Sequence, residues 1–310
     1  MDLDIAGLTH VGRRKEKNED NFGVFGEDTP GLRLFREGAL LAVADGLGGH
    51  IGGEIASKLA VSIIRDLTKE PPPEPAPPNT DVVLDAHQLG YLPLLRSAIK
   101  RANDSIFQTN RDLVQGDRPM GTTLLTALVE PKTAWIGNVG DSRAYHLRGG
   151  EIIARTEDHS WVDEQVKLGL MSRDEAESDK RRNLVTRSVG THPDTEADTY
   201  RWPLAPGDML LLCTDGLVNM VRDADIAAEM SKPLTAAEIA ENLVRMANEN
   251  GGRDNITVVV AHVNPDRRRM AARKMRRAMR EKGISPALLA GMIFFGLLCF
   301  GAGIVAALVL

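Results

Sequence analysis

The chain has 310 residues, 43% of them hydrophobic and 26% charged, and a formal net charge of −5. That balance excludes a disordered or low-complexity chain and accommodates one large globular domain plus a further segment. Two cysteines in apolar runs, Cys213 and Cys299, and seven scattered histidines exclude a disulfide framework and a zinc-type Cys/His cluster.

The first residues, MDLDIAGLTHVG, have neither a basic lead nor a long apolar core, so they do not read as a signal peptide. Strands are predicted over residues 7–11, 21–25 and 40–44, followed by a helix in GGEIASKLAVSIIRDLTKE that ends at Pro71. The six prolines of PPPEPAPPNT exclude helix and central strand, which makes residues 70–80 a stiff exposed loop. A PxxP ligand through Pro72 and Pro75 is the less favoured reading of that stretch. A second helix spans 92–113, with Leu95, Ile99, Ile106 and Leu113 on one side. Strands follow at 122–129, 133–138, 143–147 and 151–154. Residues 158–191 are charge-dense, contain the amphipathic piece WVDEQVKLGLM, and read as an insertion rather than core. A strand at 209–213, a helix at 235–250 and a strand at 256–263 complete the domain. Thr235 and Glu238 fit a capping box at the start of that helix. No internal repeat is present. Many strands with helices inserted in pairs predict an α+β fold, a central antiparallel β-sandwich flanked by helix pairs in α-β-β-α layers.

Four of these strands carry an aspartate at one end: Asp45 after LLAVA, Asp141 in NVGDSRAY, Asp215 after LLLCT, and Asp254 before NITVVV. Asp-Gly is a favoured hairpin turn, and for Asp45-Gly46 or Asp215-Gly216 taken singly that reading is adequate. Four instances point elsewhere. If the strand ends converge, four carboxylates repel one another unless a cation lies between them. Carboxylate, carbonyl and water ligands suit hard divalent ions such as Mg²⁺ and Mn²⁺.

The C-terminal end differs in kind. Residues 287–310 contain no charge, and at 1.5 Å per residue they would extend about 36 Å as a helix, enough to span a bilayer with some tilt. A core helix of that length would show a polar face. RRRMAARKMRRAMREK, residues 267–282, carries nine Lys/Arg and one Glu, a net of +8 that leaves −13 on the other residues. Beside a spanning helix, such a cluster marks the cytoplasmic side and attracts anionic lipid. A nucleic-acid-binding arm is disfavoured, because a membrane segment follows and the remaining chain is acidic. The expected organisation is a domain over 1–265, a basic juxtamembrane linker over 266–286 and a transmembrane helix over 287–310. The helix has small residues at Ala302, Gly303, Ala306 and Ala307, a weak packing signal.

The ordered series KEKNEDNF, ADGLGGHIGGEIAS, MGTTLLTALV, GNVGDSRAYHLRGGEI, EDHSWVDEQVKLGLM, NLVTRSVGT, LLLCTDGLVNMV and GGRDNITVVVA resembles the PPM/PP2C family of metal-dependent protein serine/threonine phosphatases, in its bacterial form. The resemblance covers roughly residues 5–263. It implies a binuclear Mn²⁺/Mg²⁺ centre at one end of the sandwich, with Asp45 bridging two ions, the Gly46 carbonyl on one, and Asp215 and Asp254 on the other. Asp141 matches an aspartate of a third, weaker site, and Asp20 a carboxylate near the second ion, with Glu19 acting through water. On a regular strand Glu19 and Asp20 would point to opposite faces, so both would be direct ligands only where the strand ends or bulges.

The family's phosphate-binding arginine corresponds here to Lys15, which offers a point charge instead of a planar fork. Arg13 would share a strand face with Lys15, and Arg14 would face away. His50 is weighed evenly between a proton donor and a structural histidine. His159 reads as structural, Arg143 and Arg187 as framework donors, and residues 158–191 as a flap beside the site. The implied substrates are phosphorylated proteins, including clients of membrane Ser/Thr kinases; no nucleic-acid partner is implied. A scaffold that binds phosphoproteins without turnover would have lost the metal aspartates. A small-molecule phosphate hydrolase on the same fold remains the other alternative.

Overall fold

The structure, a computed structural model, describes residues 2–48, 51–73, 90–113 and 119–264. His50, most of the proline-rich loop, the basic linker and the apolar C-terminal segment lie outside the described residues. Among the described residues no helix is long and apolar enough to cross a membrane. Residues 1–265 form one compact unit.

The elements run β1 (Leu3–His10), β2 (Asn21–Phe25), β3 (Ala39–Ala44), β4 (Gly46–Leu47), α1 (Ile51–Leu67) and α2 (Leu92–Leu113). Next come β5 (Gly121–Thr122), β6 (Leu124–Glu130), β7 (Thr133–Val139), β8 (Arg143–Arg148) and β9 (Glu151–Arg155). Then follow α3 (Trp161–Lys167), α4 (Arg173–Ser178), β10 (Asp198–Pro203) and β11 (Met209–Cys213). The unit closes with α5 (Asp215–Val218), α6 (Asp223–Met230), α7 (Ala236–Glu249) and β12 (Ile256–Val263). Two five-stranded antiparallel sheets have the orders β1-β12-β11-β8-β9 and β10-β7-β6-β3-β2.

Three apolar layers hold the expected α-β-β-α stack together. Leu41, Val43, Leu125, Ile136, Leu212 and Val259 meet between the sheets. Leu40, Leu124 and Leu128 turn the other way, onto Ile64 of α1 and Leu95 and Ile99 of α2. Leu211, Val258 and Val260 pack on Ile239 and Leu243 of α7. A strand buried on both faces needs apolar side chains at every position, which is why ALLAVA shows no alternation. The Thr235–Glu238 capping box is present at the start of α7.

Register brings the aspartates to one rim. Ala44 lies opposite Asn21, Val43 opposite Leu125, and Leu124 opposite Val139. In the other sheet Cys213 lies opposite both Arg143 and Val258, and Ile256 opposite His10. The ends of β3, β7 and β11 therefore share one edge with the starts of β2, β8 and β12.

Asp45-Gly46 and Asp215-Gly216 are not hairpins. The first leads into β4, which pairs with β5, and the second opens α5. Strand β10, helices α4 to α6 and the separation of β5 from β6 add to the predicted elements. Asp198–Pro203 is an edge strand of mixed exposure ending in proline, so neither alternation nor an apolar run reveals it. Residues 158–191 are less of an insertion than their charge suggests, because Asp158, His159, Ser160 and Val189 are buried.

Candidate metal centre

Each carboxylate at the rim is positioned by polar groups beside it in the chain or across the sheet. Asp45 is held through its backbone: its N–H donates to Thr123 Oγ1 at 2.9 Å, and its carbonyl accepts from Thr123 N and Thr122 Oγ1 at 2.8 Å. Thr123 Oγ1 in turn meets Ser142 Oγ at 2.8 Å. Asp20 Oδ2 accepts from Thr257 Oγ1 at 2.7 Å and Thr214 Oγ1 at 2.9 Å. Asn219 Nδ2 donates to Asp215 Oδ2 at 2.9 Å. Asn255 gathers the approach to β2: its Oδ1 accepts from Glu19 N, and its Nδ2 donates to the carbonyls of Val11 and Lys17. These threonine, serine and asparagine partners were not singled out in the sequence. For Ser142, Thr214, Asn255 and Thr257 the available signal was their place next to the aspartates in NVGDSR, CTDG and RDNIT; Thr122, Thr123 and Asn219 had none.

The electrostatics are those of crowded like charges. Burial, then Asp20, Asp215, Asp141 and Asp254, push the Asp45 carboxyl well above the usual range. Burial, then Asp215 and Asp158, do the same to Asp141. Burial raises Asp20 to about 7 against its two threonine hydroxyls, with Asp215 and Asp254 adding to the rise. Burial and Asp254 raise Asp215 to about 6, opposed by the adjacent Asp45 and by the Lys15 ammonium. Asp20 Oδ1 and Asp215 Oδ1 are buried with no hydrogen-bond partner.

Lys15 stands in this field. Its ammonium lies 2.6 Å from Asp254 Oδ1, and although burial opposes it, Asp254, Asp45 and Glu19 hold its pKa up. Arg13 does not share a strand face with Lys15. The strand ends at His10, Gly12 takes a φ of +82°, and residues 12–14 form a turn in which Arg13 N donates to Gly252 O. Arg14 is exposed in the same turn, so the alternation argument applies to neither. Glu19 and Asp20 precede β2, so strand alternation does not separate them either. Gly46 is in β4, paired with Thr122 and so close to Gly53 that an added Cβ would lie 2.4 Å from its carbonyl oxygen.

The other residues singled out in the sequence are structural in their contacts. Arg143 grips Asp158 through Nε and Nη2, and Arg187 reaches Asp198 at 2.9 Å. His159 is fully buried, accepts from Gly140 N through Nδ1, and faces Asp198 Oδ2 with Nε2 at 3.2 Å.

An all-oxygen set of aspartates, with unpartnered buried oxygens on two of them, fits a hard divalent cation. Among the described residues no three His, Cys, Asp or Glu side chains form a ready-made cage for one ion. Ions such as Mg²⁺ and Mn²⁺ suit this arrangement because they retain water in their coordination shell.

The raised carboxyls set a pH test. Unfolded aspartates titrate near 4, whereas Asp215 and Asp20 titrate at about 6 and about 7 in the fold. Between those values the folded state binds more protons, so stability falls as pH rises and the loss is complete above about 7. In EDTA the melting temperature is expected to fall from pH 5 to pH 8, and Mn²⁺ at pH 8 is expected to restore it. A melting temperature in EDTA that stays level or rises over that interval would contradict the crowding.

The chain is similar to known proteins along most of its length. The family model for protein phosphatase 2C matches residues 12–256. The serine/threonine phosphatase stp of Listeria innocua is 36% identical over 259 residues, covering 83% of this chain and 94% of the relative. The crystal structure of Stp1 from Staphylococcus aureus superposes with a TM-score of 0.71 at 31% identity, covering 85% of this chain and 96% of that one. The catalytic domain of PstP, solved with two manganese ions, has a TM-score of 0.66 at 32% identity and covers 84% and 97%.

Proposed function

The chain belongs to the protein phosphatase 2C family of metal-dependent serine/threonine phosphatases, and we propose that it hydrolyses phosphoserine and phosphothreonine of proteins at the cytoplasmic face of a membrane. The observation that carries the catalytic part is the rim itself. Asp20, Asp45, Asp141, Asp215 and Asp254 come from separate strand ends to one place, where two of them keep buried, unpartnered oxygens.

In this reading Asp45, Asp215 and Asp254, with the Gly46 carbonyl, would hold two Mn²⁺ or Mg²⁺ ions, and Asp141 a third; Asp20 lies beside them. The ions, when bound, acidify water and offset charge on the phosphoryl oxygens. The chain's own groups do the rest. Thr214 and Thr257 fix one Asp20 oxygen and leave the other buried without a partner. Asn219 does the same for Asp215. Lys15, paired with Asp254, would receive the substrate phosphate as a point charge with three donors. Cys213 takes no part: it is fully buried in β11, and burial raises its thiol far above the reactive range.

The membrane part rests on the uncharged residues 287–310 and the +8 segment before them. Tethering at that surface raises the effective concentration of phosphoproteins made by membrane-bound Ser/Thr kinases.

Phosphothreonine peptide, ATP and p-nitrophenyl phosphate, each assayed in Mn²⁺, Mg²⁺ and EDTA, separate the readings. Metal-dependent turnover that favours the peptide is the expected outcome. Preference for ATP would move the assignment to a small-molecule hydrolase, and no turnover by folded, metal-loaded protein would move it to a scaffold. Protease should remove the domain from inside-out vesicles only, and digestion on intact cells would overturn the cytoplasmic placement.

A further inference from the structure

A cavity of about 580 Å³ opens directly beside the metal centre and is not accounted for by it. Its floor includes Asp141 and Asp215, which belong to the rim, so the two sites share walls. One side is the flap, through Asp163, Arg173 and Arg182; the other is the α5–α6 stretch, through Arg222 and Asp223. We propose that this cavity is a second anion site, which takes a phosphate or carboxylate carried by the same polypeptide as the reacting phosphate. The proposal rests on the phosphoprotein reading above.

Charge is the first reason. Five arginines line the cavity. Of its five aspartates, Asp141 and Asp215 are assigned to the metal centre, leaving Asp158, Asp163 and Asp223 to oppose the arginines. The cavity is thus locally cationic on a chain that carries −13 outside residues 267–282. An anionic group on a substrate is drawn to such a mouth and disfavoured elsewhere.

How the arginines are held is the second reason. Arg143 is committed: two of its nitrogens bond Asp158 on the cavity floor. Arg173 and Arg222 are the more exposed ones. Arg173 gives one Nη1 bond to Asp163, with 60% of its side chain exposed. Among the described residues Arg222 pairs with Asp225 alone, through Nε and Nη2, but with 83% of its side chain exposed. Solvent screens exposed pairs of this kind, so either guanidinium can exchange its carboxylate for an incoming anion at small cost. A guanidinium has five donors in a fork that fits phosphate or carboxylate in a bidentate manner. Arg155, paired with Asp223 at 3.0 Å, narrows the same wall.

The test uses the full chain in Mn²⁺ with a series of phosphothreonine peptides. The series places phosphoserine, glutamate or alanine two or three residues to either side of the phosphothreonine. The wild type is expected to turn over the doubly anionic peptides with a kcat/KM about tenfold above the alanine peptide, through KM. Arg173→Ala combined with Arg222→Ala should remove that preference and leave the alanine peptide and p-nitrophenyl phosphate unchanged. Gain with both phosphoserine and glutamate supports a general anion site; gain with phosphoserine alone supports a phosphate site. Equal turnover of all peptides by the wild type, or a preference that survives both substitutions, overturns the proposal while the phosphoprotein reading stands. Turnover of p-nitrophenyl phosphate without any peptide overturns that reading itself.

Discussion

Asp45→Asn is expected to lower kcat/KM on a phosphopeptide about a thousandfold, a loss of roughly 4 kcal/mol of transition-state stabilisation, because it removes a carboxylate that the proposed metal site requires. The same substitution is expected to raise the melting temperature in EDTA at pH 8 by a few degrees. Asp45 is surrounded by Asp20, Asp215, Asp141 and Asp254, and without cations one fewer charge relieves their repulsion. The backbone of residue 45 stays anchored, since its hydrogen bonds to Thr122 and Thr123 use no side-chain atom of the aspartate. Activity and stability thus move in opposite directions, as expected where a functional site stores electrostatic strain. Retained activity would remove Asp45 from the reaction. A lower melting temperature in EDTA would mean that the carboxylate stabilises the fold, contrary to the crowding described above.

Gly216→Ala should have the largest effect on folding. A Cβ at that position would lie 1.8 Å from the carbonyl oxygen of Asn255 and 2.9 Å from its carbonyl carbon. The colliding atoms are backbone, so no rotamer change relieves the contact. Residues 215 and 254, two of the rim aspartates, flank the clash, and the strands bearing them are joined nearby by the Thr214 N–H to Thr257 carbonyl bond. We expect a loss of about 3 kcal/mol or more, or about 6–12 °C in melting temperature for a unit of this size. Weaker Mn²⁺ binding should accompany it, because the aspartates move apart. Gly26→Ala is the control: its Cβ would meet only a side-chain oxygen, at 3.5 Å, and the melting temperature should hold. A Gly216→Ala protein that melts within about 2 °C of wild type would show that the contact between α5 and the chain entering β12 yields easily.

Much of this centre was legible before any coordinates. Asp45, Asp141, Asp215 and Asp254 stand at the ends of apolar runs, and a repeated carboxylate at a strand end has few explanations other than a cation. The two-sided burial of β3 was visible as unbroken apolar sequence. The layer order followed from how strands and helices alternate, and the start of α7 from its capping residues. These are local properties: periodicity, propensity and the hydrogen-bonding capacity of single side chains act over a few residues.

What required the tertiary structure is long-range pairing. Register between strands far apart in sequence decides that the aspartate ends share one rim, and no local pattern encodes register across 200 residues. It also decides that Thr214 and Thr257 meet on one oxygen of Asp20. The placement of Arg13 failed for the same reason: alternation presumes a strand, and Gly12 ends it in a turn closed by Gly252, 240 residues away. The arginine-lined cavity is likewise a product of folding, because its two walls lie some 40 residues apart and carry no shared motif. Sequence alone determined which chemistry this chain is equipped for, through the identity and local setting of its carboxylates. Packing decided which of them face one another, because the energy that places them belongs to the buried strands and not to the aspartates themselves.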